Sequence, residues 1–337
     1  MVSMKDIAAA CNVSVATVSK ALNDQSDIGE ATKNLIKTTA KEMGYFPNSQ
    51  ARALRTNRSF NIGVLFVDKG RSGLTHDYFS KVLDSFKKEI EENGYDLTFI
   101  SGSRSGHSRL TYLEHSLYRS FDGVVIACID FTDPEVIELV NSDIPLVTID
   151  YLFNNRSSVV SNNYAGMQEL VSYIVSQGHK RIAYICGDDT SVTQSRLAAF
   201  YQVLENNNIT IPNEYVINGS YRNMREAEVL TGKLLDIQQP PTCILYSDDY
   251  SALGGITAIN RRGLKIPEDI SVAGYDGINI ISQLEPKLTT IRQDTDMIGY
   301  LAARKLINLI EKPRTTLVEQ LTVEGKLEVG KTVKKIN

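Results

Sequence analysis

The sequence has little of what marks a metal protein, a hydrolase or a membrane protein. Its four cysteines, Cys11, Cys128, Cys186 and Cys243, are isolated, with no CxxC pair and no histidine at ligand spacing. They read as buried free thiols in a reducing cytosol, not as a zinc site or a disulfide framework. The four histidines are scattered. There is no phosphate-binding GxxxxGK[ST] loop, no GxSxG nucleophile turn and no HExxH helix. Gly102-Ser103-Arg104-Ser105-Gly106 lacks the central serine of a nucleophile elbow and reads as a strand-to-helix loop. No apolar run is long enough to span a bilayer. The N-terminus has no cationic segment followed by an apolar core. These absences predict a cytoplasmic, non-enzymatic protein with no cofactor, no metal and no membrane partner.

What is present begins with an uneven charge. The chain of 337 residues has a formal net charge of −4. Residues 1–58 hold eight lysines and arginines against five acids, a net +3, which leaves −7 for the rest. A basic head on an acidic body fits contact with nucleic acid through the head alone. A head of +3 is modest, so two copies acting on one site are expected.

The head opens MKDIAAACNVSVATVSKAL, Met4 to Leu22. Ile7, Ala8 and Cys11 share one helical face. Asn12-Val13 breaks the pattern, and Ser14 can cap a second helix by accepting a bond from a first-turn N–H. In that helix Val18, Ala21 and Leu22 can pack back on the first. Val15, Ala16, Ser19 and Lys20 are left facing out. Two short helices, a tight turn and an outward first turn make a helix-turn-helix sized for the DNA major groove. A helical hairpin that only packs is the alternative on spacing alone. A third helix, Ala31 to Met43, is expected to turn Leu35, Ile36, Ala40 and Met43 inward before Gly44 stops it.

From Phe60 the pattern is α/β. Apolar strands at 61–67, 95–100, 122–127 and 145–149 alternate with helices at 78–93, 110–119 and 135–141. The alternation restarts with helices at 164–177, 196–206, 225–235 and 252–262 and strands at 181–186, 215–217, 242–246 and 270–274. Apolar strands alternating with helices indicate parallel sheet. The fold class is therefore α/β, with two doubly wound sheets of similar size in tandem behind a helical head. Such a pair of lobes looks like a periplasmic sugar-binding protein, whose ligand lies between the lobes outside the C-terminal strand ends.

VSVATVSKALN followed by GYFPNSQARALR resembles the LacI/GalR transcription regulators, and the resemblance runs through nearly the whole chain. It implies a DNA-binding head over 1–46 and a hinge helix or linker over 47–59. It also implies three strand crossovers between the lobes, near Ser161, Ile291 and Gln320. The first lobe is then 60–161 with 292–319, and the second 162–291 with 320–330. The chain ends LEVGKTVKKIN without a leucine heptad, so a dimer is the expectation rather than a tetramer.

The resemblance also supplies roles. Val15, Ala16 and Lys20 sit where the family reads base edges. Lysine lacks the fork of the arginine usual there, so readout is expected to be softer. Ser14, Thr17 and Ser19 are candidates for phosphate contact or packing. Asn48, Leu54 and Arg55 belong to the hinge, where the family's paired leucines wedge into the minor groove at the operator centre. A solvated Lys20 and a merely packing Leu54 are the bland alternatives. For the effector, the matching positions are Asp150, Arg196, Tyr221, Asp248, Asp276 and Gln293, and Tyr78, at the start of the first-lobe helix, is a candidate for the cleft mouth. Carboxylates accept from pairs of hydroxyls, Arg196 donates and Tyr221 can cover an apolar sugar face. Three carboxylates against one arginine disfavour an anionic ligand, so a neutral sugar is expected. Asp248 and Asp276 could instead be helix caps, Tyr221 a surface residue and Tyr78 a core residue. A sugar-binding protein with no DNA role, an α/β enzyme with a helical cap, and a nucleobase or phosphoprotein effector remain as other readings.

Overall fold

The computed structural model describes residues 2–46, 53, 56, 58–67, 73–100 and 109–336. The chain divides into two compact units, Met1–Ser59 and Phe60–Asn337.

The first unit is three helices, α1 Met4–Ala10, α2 Val15–Leu22 and α3 Glu30–Glu42. Ser3 and Asp6 form a reciprocal capping box that starts α1. Ser14 starts α2, its hydroxyl accepting from Thr17 N at 3.0 Å. Ile7, Ala8, Val18, Ala21, Ile36 and Ala40 make the core between the helices. Leu35, expected inside, is 55% exposed. The inward face of α3 runs through Lys33, Ile36 and Ala40, and Leu35 lies off that i, i+3, i+7 line.

The second unit carries a six-stranded sheet of order β11-β5-β4-β3-β1-β2, all parallel. Its strands are β1 Asn61–Phe66, β2 Asp96–Phe99, β3 Gly123–Ala127, β4 Leu146–Ile149, β5 Ser157–Ser161 and β11 Gln320–Val323. Helices α4 Asp77–Glu92 and α11 Thr295–Glu311 pack on one face, and α5 Tyr112–Tyr118 and α6 Pro134–Val140 on the other. A second parallel sheet, β7-β6-β8-β9, combines β6 Ile182–Cys186, β7 Val216–Asn218, β8 Cys243–Tyr246 and β9 Ser271–Ala273. It lies between α7 Asn163–Ser176 with α8 Ser191–Asn206 and α9 Met224–Leu235 with α10 Asp249–Arg261. The sheets are therefore of unequal size, because β5 and β11 extend the first. An antiparallel pair, β10 Thr290–Arg292 with β12 Lys326–Glu328, continues from the edge of the second sheet: Gly274 N donates to Thr289 O and Asp276 N to Ile291 O, each at 2.9 Å.

The chain crosses between lobes from β5 into α7, from β10 into α11 and from β11 into β12. The third crossover was expected at Gln320. It lies after Val323, because Gln320 to Val323 pair in register with Ser158 to Ser161 of the first sheet. The crossovers are fastened side by side. Asn162 N donates to Val323 O at 2.8 Å, and its amide side chain donates to Glu324 at 2.8 Å. The β10–β12 ladder joins the second crossover to the third.

Candidate functional site

On the head, α2 presents Val15, Ala16 and Lys20 exposed, with Thr17 and Ser19 half-buried beside them. Ser14 is committed to the helix start, and its Oγ also lies 2.8 Å from Thr17 Oγ1. Lys20 is ion-paired with Asp27, and Lys37 of α3 with Asp24. Both acids come from the loop after α2, and both carboxyl groups are held below their usual range by hydrogen bonds from these lysines. The hinge candidates Asn48, Leu54 and Arg55 lie outside the described residues.

In the body, the expected effector residues all follow the C-terminal ends of strands, where open α/β sheets bind ligands. The first lobe contributes Tyr78, in the first turn of α4, and Asp150, just past β4. Tyr78 Oη donates to Asp150 Oδ2 at 2.7 Å, and Ser161 N donates to Asp150 Oδ1 at 3.2 Å. Asp150 sits at φ +60°, so its own backbone bends to aim the side chain. Burial raises its pKa, opposed by those two hydrogen bonds and by Arg196.

The second lobe contributes Arg196, from α8. It is 3% exposed. Its Nε donates to Asn163 Oδ1 at 2.9 Å and its Nη1 to Ser247 O at 2.7 Å. The guanidinium carbon lies 3.6 Å from the centre of the Tyr275 ring and 5.9 Å from that of Tyr221. Nη2 stands 3.8 Å from Asp276 Oδ1, an ion pair too long to be a hydrogen bond. Gln293 Nε2 donates to the same Asp276 oxygen at 2.6 Å. Burial pushes the Asp276 carboxyl up to about 7; Arg196 opposes the shift, and Asp248 and Asp150 add to it. Burial, the Asp150 hydrogen bond and the Asp150 and Asp276 charges raise the pKa of Tyr78, and Arg196 opposes them.

Asp248 differs from the other acids. It caps α10: Oδ1 accepts from Ser251 N at 2.9 Å, and Oδ2 accepts from Arg222 N, Ser247 Oγ and Ser251 Oγ at 2.8–2.9 Å. At 1% exposure its acceptor sites face these internal donors, which is the cap reading of this residue. Asp276 caps no helix and stands at φ +103°. Tyr221 is half-buried, its hydroxyl 2.8 Å from Thr193 Oγ1. Its ring is pressed on Gly187, where a Cβ would stand 2.3 Å from a ring carbon. Tyr78 is 7% exposed and belongs to the first lobe's core, which is the core reading of this residue.

Several members of the site carried no signal in hydropathy or charge. Asn163 and Tyr275 hold Arg196 from two sides. Two further bonds join the lobes at the first turns of α4: Tyr250 Oη donates to Asp77, and Lys81 Nζ donates to Asn279 Oδ1 at 3.0 Å. Among the described residues no cluster of metal-ligating side chains occurs, and no helix is long and apolar enough to cross a membrane.

The sequence pattern of the bacterial regulatory proteins of the lacI family matches residues 3–48, and that of the periplasmic binding protein-like domain matches residues 171–333. The probable HTH-type transcriptional repressor ExuR of Bacillus subtilis is 32% identical over 321 residues, covering 94% of this chain and 93% of that one. The chain belongs to the lacI family of transcriptional regulators. The HTH-type transcriptional repressor PurR of Vibrio vulnificus is 30% identical over the full length of both. The lac repressor dimer bound to operator and the anti-inducer ONPF superposes with a TM-score of 0.84 at 27% identity, over 99% of each chain. Family members with these names are repressors, not enzymes, which agrees with the lack of a catalytic constellation in the sequence. The two-lobed body and helical head are the architecture that the family shares.

Proposed function

We propose that this regulator is a cytoplasmic, dimeric repressor that binds a pseudo-palindromic operator and is switched by a neutral sugar in the inter-lobe cleft. The observation that carries the reading is that the Arg196–Asp276 pair of the second lobe and the Tyr78–Asp150 bond of the first both lie past the C-terminal ends of their strands. A guanidinium, two desolvated carboxyls and a tyrosine offer donors and acceptors at once, as a polyol requires. A phosphorylated ligand would have to approach Asp150 and Asp276 with one arginine in compensation. The operator and dimer parts draw on the lac repressor, whose dimer is bound to operator. On the head they draw on the outward Val15, Ala16 and Lys20, which suit apolar contact with a thymine methyl and donation to guanine or phosphate. Leu54 is proposed as the minor-groove wedge.

Ligand occupancy would alter the lobe angle, and with it the spacing of the two heads in a dimer. Operator and ligand affinities are then coupled reciprocally. A purine is the second reading, favoured by the Phe131 and Tyr151 rings, which stack 4.4 Å apart beside Asp150.

The test is selection of bound sequences from a random duplex pool, with full-length protein at fixed salt, alone and with pooled monosaccharides or pooled purines. A two-fold symmetric motif whose enrichment changes with the sugar pool is the expected outcome. A change with purines only would move the effector to the second reading. No enrichment under any condition would overturn the DNA-reading role.

A further inference from the structure

Two of the three crossovers carry an amide side chain into the effector cleft. Asn163 stands two residues past β5 and is 7% exposed. Its Oδ1 accepts from Arg196 Nε at 2.9 Å, and its Nδ2 donates to Ser161 O at 3.2 Å. Gln293, one residue past β10 and also 7% exposed, donates to Asp276 Oδ1 at 2.6 Å. Ser161 closes the line on the other side, its N–H held by Asp150, which in turn holds Tyr78. A continuous polar path therefore runs from Tyr78 and Asp150 through the first crossover to Arg196 and Asp276, and ends on the second crossover.

We propose that Asn163 and Gln293 are positioning residues that tie the effector-facing Arg196–Asp276 pair to the first and second crossovers, so that movement of the pair is transmitted to both crossovers. The proposal rests on the cleft reading given above. Three features support it. Asn163 uses its oxygen toward a cation and its NH2 toward a carbonyl. A flipped amide would lose both bonds and set like against like, so its orientation is fixed. Arg196 and Asp276 are separated by 3.8 Å. A ligand hydroxyl lying beside the pair can bridge it, donating to the carboxylate and accepting from the guanidinium, and so draw on both amides. Gln293, read from the sequence as a ligand contact, has its NH2 group turned to Asp276.

The test needs neither effector nor DNA. Backbone hydrogen exchange would be measured on full-length protein in peptides covering 157–166 and 289–296, with peptides of β6 and β8 reporting global opening. Asn163→Ala should speed exchange in the distant 289–296 window by about tenfold, as well as in its own. In an Arg196→Ala background the same substitution should add nothing to the 289–296 window, since the path is already cut. Asn163→Asp keeps the acceptor for Arg196 and should leave 289–296 near wild type while loosening 157–166. Gln293→Leu, close in volume, is the reverse arm and should loosen 157–166. Effects confined to each variant's own window would overturn the proposal. So would full additivity of Asn163→Ala and Arg196→Ala in the distant window. An effector reading that failed would show instead in the duplex selection, as no response to either ligand pool.

Discussion

Asp248 and Asp276 have similar settings in the sequence, each just beyond a short apolar strand. The backbone that follows them separates their roles. After Asp248 the chain turns straight into α10, so the carboxylate meets free first-turn N–H groups and becomes a cap. After Asp276 it continues through a left-handed residue into a loop, so the carboxylate remains for Arg196 and Gln293. Residue type predicted an acid at each position; only the local chain path says which one caps a helix and which pairs with Arg196. The raised Asp276 gives a test. An acid with a folded pKa of about 7, against 3.8 for an ordinary aspartate, binds more protons folded than unfolded between those values. It therefore lowers stability as pH rises through that window. Asp276→Asn should melt higher than wild type at pH 8, by on the order of 5 °C, and the difference should vanish near pH 4. An equal shift at both pH values would mean the carboxyl is not desolvated. On the head, Lys20 must leave Asp27 to reach DNA. Lys20→Ala should weaken binding to a selected operator more than to random duplex. Equal losses in titrations at one salt concentration would remove base reading by Lys20.

At the scale of elements, α2 was the most legible part of the chain. A capping serine, small residues at the crossing and an apolar face at helical spacing all agreed, and the helix starts at Val15 behind Ser14 as the pattern predicts. Ser14→Ala should cost the head about 1 kcal/mol, read as a lower melting midpoint by circular dichroism of the full chain. No change would mean Thr17 N finds another acceptor. The strands β5 and β11 were missed for a physical reason. β5 reads Ser-Ser-Val-Val-Ser, and its serines are buried in the sheet, so hydropathy sees no strand. β11 is the sheet edge, exposed at Gln320 and Thr322, and its residues look like a loop. Missing these two made the sheets seem equal and moved the third crossover three residues early. The clasp residues were illegible for a related reason: Asp77, Lys81, Tyr250 and Asn279 meet only after both lobes are built.

In the body as a whole, the lobes are linked by the crossovers and by that clasp. Tyr250→Phe combined with Lys81→Ala removes both clasp bonds without touching Arg196 or Asp276. The double variant should show a larger radius of gyration in solution scattering than wild type. An unchanged radius would mean that the crossovers alone set the angle. The side-by-side order of those crossovers, first beside third and third beside second, has a wider consequence. Three independent tethers could bend in three ways; three strands laced together favour a single shared axis. Chemically different cargoes then all become more or less of one rotation. A lineage built on this frame can exchange the lining of its pocket, and so the signal it listens to, while the message delivered to the genome keeps the same form.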